Sequence, residues 1–355
     1  MTSYTPKGNY PYPVATDPVT DYPASAATFA GYVDNLPNRN AITNGNFAIT
    51  QRGTTFTNPA TGTYSADRWR FDYDGTGGTR TITFPSISPG GSMDGMQAKN
   101  VIQIALTTLS TGGTYQRLAQ RIEDVRTFAN ETITLSFWTY SSSPKTITAR
   151  AVQNFGTGGS PSADVTTTIG TTTTSGAVYV RETFTVTLPS LSGKTIGTNE
   201  NSFLEIHLDF GVQTGTLAFW GVQLEQNNTA TALEREHIVE TLAKCYRYFQ
   251  RYSYSNGNQY VPQHPWQIDT LNRPAMALLY SEKRVAPVIT ISSAVTFQIA
   301  SITSAANGNP SAFLGTLIGT KLQSAVIYWT QAWALNTPAV ISLNPGAYID
   351  ISAEL

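Results

Sequence analysis

Between residues 80 and 224, apolar and polar side chains alternate with a period of two in seven stretches. They are 80–84, 101–106, 132–140, 145–152, 178–188, 203–210 and 216–224. Successive side chains of a strand point to opposite faces, so this alternation predicts half-buried β-strands. Gly, Ser and Pro clusters separate them, as at 88–92 and 156–161. Strands joined by turns, with no helices between them, predict an antiparallel sandwich and an all-β fold class. Residues 116–125 fit either a short helix or an extra strand. In 203–210, Glu205, His207 and Asp209 alternate with Leu204, Ile206, Leu208 and Phe210. The three ionisable groups are therefore expected on a solvated strand face. A carboxylate–His–carboxylate row is also a possible metal site, but that would need ligands from a neighbouring strand.

The period changes after residue 226. Thr231 and Glu234 have capping-box spacing, and Ile238, Leu242, Cys245 and Phe249 form one apolar stripe of a helix. Glu240 and Lys244 are a favourable i,i+4 pair. The stripe is expected to pack on the sandwich or to form a seam between subunits. Strand patterns resume at 246–252, 275–280, 288–292, 325–330 and 347–353. In the last of these, Tyr348, Asp350 and Ser352 face away from Ala347, Ile349 and Ile351. The expected organisation is an extended arm at 1–40, a sandwich at 41–225, a linker and helix at 226–250 and a second β domain at 251–355.

The arm carries Pro6, Pro11, Pro13, Pro18, Pro23 and Pro37, which favour extended or polyproline II backbone and cannot fill a central strand. Tyrosines are interspersed. Tyr4, Tyr10, Tyr12, Pro13 and Tyr22 are expected to anchor the arm on a partner, against the blander reading of a disordered tail.

Net charge is −1, only 13% of residues are charged, and no Lys/Arg-rich block occurs. A nucleic-acid partner is not expected, nor is membrane insertion, since no apolar run reaches spanning length. The single cysteine, Cys245, forms no intrachain disulfide and reads as a small buried hydrophobe. With three histidines, no nucleophile elbow and no phosphate-cradling loop, the chain offers no persuasive active site. No catalytic residue, cofactor or metal is expected. In Asp67-Arg68-Trp69, Trp69 is expected to enter the core, Arg68 to pair with a carboxylate and Asp67 to hold a turn. Tyr254, Asn258, Tyr260, His264, Trp266 and Asp269 are the candidate receptor or glycan site. Aromatic faces stack on sugar C–H surfaces while amides and carboxylates bond hydroxyls. The other use of these aromatics is to fill a small core or a subunit interface.

Residues 42–69, ITNGNFAITQRGTTFTNPATGTYSADRW, resemble the N-G-(N/D)-F…Q-R-G…Y-x-A-D-R-W opening of a β-sandwich found in tail fibres and minor structural proteins of tailed bacteriophages. Residues 221–252 resemble the Q-L-E…T-x-x-E-x-R…C-x-R-Y-(F/Y) segment that follows it, and 346–355 resemble the last strand. The resemblance implies a jelly-roll-like sandwich akin to carbohydrate-binding modules and a role as a virion structural protein. A tail fibre or spike would be anchored by residues 1–40, packed as a homotrimer and directed at a host-surface glycan or protein. A capsid or collar decoration protein and a capsule-degrading hydrolase are the alternatives.

Overall fold

The computed structural model describes residues 39–87, 98–174, 176, 178–253, 278–292, 324–325 and 346–355 in full, and elsewhere only the backbone of short strands. It divides into two compact units. The first comprises residues 1–48, 55–63 and 70–237, and the second 49–54, 64–69 and 238–355.

The first unit is built on two six-stranded antiparallel sheets, as the alternating pattern predicts. Their strands are β1 (Thr55–Thr57), β2 (Thr63–Tyr64), β3 (Arg70–Tyr73), β4 (Thr76–Thr83), β5 (Ile102–Thr111), β6 (Gln116–Glu123), β7 (Thr132–Ser141), β8 (Thr146–Asn154), β9 (Val165–Thr173), β10 (Val180–Thr187), β11 (Phe203–Asp209) and β12 (Gly215–Glu225). One sheet runs β9-β8-β11-β6-β3-β2 and the other β10-β7-β12-β5-β4-β1. The segment left open between helix and strand is thus β6. The core between the sheets holds Leu118, Leu204, Ile206 and Leu208 from one and Ile104, Leu135, Phe137 and Leu217 from the other. Phe71, Phe210, Phe219 and Phe137 form a run of rings across it, with centroids 6.2–6.3 Å apart. Such ring pairs add about 0.5–1.5 kcal/mol each to the burial of their area.

A second cluster joins Trp138 and Trp220 at 5.3 Å with Ala98, Val101 and Ala218. The β7–β12 register slips between Ser136 and Trp138, and Gly221 at φ 60° sits beside the slip. A β-bulge of this kind re-aims side chains, here bringing the two indoles together.

The second unit contains α1 (Ile238–Tyr246) and a three-stranded sheet, β13 (Phe249–Ser253), β15 (Tyr348–Ser352) and β14 (Val288–Ile291), with β15 central. The capping-box expectation fails. Thr231 lies well before α1, where its amide and hydroxyl donate to Glu225 at 2.9 and 2.7 Å. The backbone amide of Glu234 donates to Gln223 and its carboxylate accepts from the Asn40 amide, so neither residue is left to cap. Phe249 falls in β13 rather than on the helix, and Ile238 is exposed, whereas Cys245 is fully buried as expected. Ala347, Ile349 and Ile351 are buried and alternate with half-buried Tyr348, Asp350 and Ser352.

The Q-R-G and Y-S-A-D-R-W segments belong to this second unit, although the sequence suggested the opening of the sandwich. Trp69 is fully buried and Arg68 pairs with Glu354. The Asp67 carboxylate accepts from the Gln51 amide at 3.0 Å, and Gln51 in turn accepts from the Arg251 amide at 3.1 Å. The guanidinium of Arg68 lies 3.4 Å from the ring centre of Tyr248, and that of Arg52 lies 3.3 Å from Phe249. Arg52 also reaches Glu354 at 3.1 Å. All three roles assigned to Asp67-Arg68-Trp69 are met. The motif is therefore a clamp on β13 and the end of the chain.

Candidate functional site

Strand register assembles one face of the β9-to-β2 sheet from separate stretches of sequence. Thr148, Asp209, Arg117 and Asp72 stand opposite one another in one row. Arg150, His207, Ala119 and Arg70 form the next, and Val152, Glu205 and Arg121 the third. Directly opposed residues share a face, so the polar alternation in β11 continues across its neighbours.

This face is not solvated as expected, since Glu205 is 5% and His207 3% exposed. Long arginines from β3 and β6 reach their carboxylates. Glu205 accepts from Arg121 at 2.8 Å, from Arg70 at 3.0 Å and bonds His207 Nε2 at 2.7 Å. The small Ala119 leaves Arg70 room to cross its row. Burial alone would raise the pKa of Glu205. The His207 hydrogen bond and charge, with Arg70 and Arg121, outweigh it and hold the carboxyl at about 2. Asp72 is bonded by Arg70 at 2.7 and 3.0 Å. Asp209 pairs with Arg150 and accepts from the Gly211 amide at 2.9 Å. With its carboxylates engaged in this way, the row offers a cation few free lone pairs, and no metal-ligand group occurs among the described residues.

Above this network the face carries a hollow of about 440 Å³, lined by Thr114, Tyr115, Arg117, Arg150, Val152, Asp164, Thr166, Glu205, His207 and Asp209. Tyr115 is half-buried, and the Arg117 guanidinium lies 4.2 Å from its ring centre. Fixed polar groups, one aromatic ring and an open polar floor suit a hydroxyl-rich ligand.

Of the residues expected to bind a receptor, Tyr254, Asn258, Trp266 and Asp269 lie outside the described residues. Tyr260 and His264 lie in two-residue strands, opposite Ser342 and Ala277. In the arm, Tyr4 pairs with Pro11 and Ser3 with Tyr12, while Tyr10, Pro13 and Tyr22 are outside the described residues. The sequence singled out Glu205, His207 and Asp209 but missed Tyr115, Arg117, Arg121 and Arg150. Those stand next to them only once β6, β8 and β11 are in register.

No protein-family model matches the sequence, and no curated protein matches it. Among solved structures, the chain is similar to the enzymatically active domain of bacteriophage CBA120 tailspike protein 4, with 16% identity over 54% of this chain and 22% of that one, at a TM-score of 0.33. It thus spans about a fifth of that tailspike chain. It is also similar to the CBM22-2 xylan-binding domain of Paenibacillus barcinonensis Xyn10C, with 14% identity over 48% and 99% of the two chains and a TM-score of 0.32. A third similarity is to TmCBM61 in complex with β-1,4-galactotriose, with 14% identity over 54% and 100% and a TM-score of 0.31.

Proposed function

We propose that this chain is a structural protein of a tailed-phage particle, a tail fibre or spike, and that it binds host-surface glycan in the hollow over β6, β8 and β11. The observation that carries the binding reading is that hollow. Its polar groups are held in place by their own neighbours, so a ligand meets them already oriented, and less ordering cost is left to binding. The Tyr115 ring offers an apolar surface to sugar C–H groups beside donors and acceptors for hydroxyls. The phage-like motifs at 42–69, 221–252 and 346–355 support the virion assignment.

We read the face as binding without catalysis. Glu205, its pKa held at about 2, is ionised at neutral pH and does not suit the role of the protonated acid that a glycosidase needs. The test is retention of the purified full chain on an array of bacterial surface polysaccharides. Wild type is expected to bind a subset, with Tyr115→Ala losing at least tenfold at unchanged thermal midpoint. Absence of binding to any polysaccharide, or equal binding by Tyr115→Ala, contradicts the reading.

A further inference from the structure

We infer that the sugar taken by this hollow is acidic, and that Arg117 receives its carboxylate. This rests on the glycan reading and narrows it. The carboxylates around Arg117 already carry donors. Arg70 holds Asp72 in a two-nitrogen fork, Arg70, Arg121 and His207 hold Glu205, and Arg150 holds Asp209. Arg117 is different. Its Nε is enclosed without a hydrogen-bond partner, and its nearest carboxylate oxygen, on Asp72, is 3.7 Å away, beyond hydrogen-bond length. Among the described residues its side chain makes no hydrogen bond, and it is held by stacking on Tyr115.

Arg70 and Arg121 are engaged with Asp72 and Glu205, and Arg150 pairs with Asp209, so of the two guanidinia that line the hollow Arg117 is the one whose carboxylate neighbour stays 3.7 Å away. Asp164 also lines the hollow, and its carboxylate accepts from Asn154 at 2.9 Å. It precedes β9, three strand spacings from β6, or roughly 14 Å. A neutral sugar would leave the two Arg117 Nη groups, which unlike Nε are not enclosed, without an anion. A uronate carboxylate offers two coplanar oxygens, which guanidinium binds in parallel.

The experiment compares acidic bacterial polysaccharides with the same polymers after carboxyl reduction, which turns each uronic acid into a neutral hexose and keeps the linkages. Binding of the full chain is measured by biolayer interferometry at low and high salt. The acidic forms are expected to bind at least tenfold more tightly than the reduced ones, with that margin shrinking in high salt. Arg117→Met, which keeps the apolar stem on Tyr115, is expected to erase the margin, and Arg117→Lys to restore part of it. Equal binding of acidic and reduced polymers by wild type overturns this inference and leaves the glycan reading standing. Should Arg117→Met not fold, the wild-type comparison decides alone. Binding of neither form overturns both.

Discussion

A methyl group placed on Gly221 would stand 2.7 Å from the Trp138 ring, on a backbone at φ 60° that L residues rarely adopt. Contact and conformation act together, so Gly221→Ala is expected to destabilise the sandwich by about 2–4 kcal/mol. Denaturant unfolding followed by Trp fluorescence measures it, and an unchanged midpoint would contradict the account of the bulge. Glu205 gives a pH prediction of definite sign. Its folded pKa, about 2, lies below the 4.5 of the free carboxyl, so the unfolded chain takes the proton first. The stabilisation is complete above pH 4.5 and is lost as pH falls towards 2, by about 3 kcal/mol in all. Unfolding at pH 5 and pH 3 should show a steeper acid loss for wild type than for Glu205→Gln. Equal losses would mean that the His207 and arginine contacts do not hold the charge.

At the scale of elements, the clamp of Arg68 on Glu354 couples the 64–69 segment to residues 353–355 within the second unit. Removing one partner leaves a buried charge uncompensated, so Arg68→Met and Glu354→Gln are each expected to cost about 3–5 kcal/mol, with the double variant well short of their sum. Additive losses would exclude coupling. Strands such as β7, β8 and β11 could be read from the sequence because one face of each carries an apolar run, Ile133, Leu135 and Phe137 in β7, Ile147, Ala149 and Ala151 in β8, and Leu204, Ile206 and Leu208 in β11. The ambiguity at β6 has a physical cause. Gln116 and Gln120 occupy buried positions, where Gln120 both accepts from and donates to the Thr43 backbone at 2.8 and 2.9 Å. That pairing satisfies a core amide and blurs the pattern. β9 escaped notice because its threonines are exposed or half-buried and Ile169 alone is buried in it. The Thr231 cap was misread because Glu225, six residues earlier, competes for the same hydroxyl and amide. The candidate site was half legible for a related reason. Periodicity shows which side chains share a face of one strand, but only register brings Arg117, Arg121 and Arg150 beside Glu205 and His207.

On the scale of the whole molecule, a fibre or spike must be carried by the particle and must present a binding face to the host. Electron cryo-microscopy of the particle is expected to place this chain on the tail, with residues 1–40 against neighbouring virion proteins. A position on the capsid or collar would favour the decoration role instead. The central claim concerns the hollow, and the most direct test is a crystal structure of the full chain with an oligosaccharide from a polysaccharide that it retains. The account predicts a sugar ring against Tyr115, within hydrogen-bond reach of Arg117, Arg150 or Asp209. A sugar bound instead at Tyr254–Asp269, with the hollow empty, would contradict it.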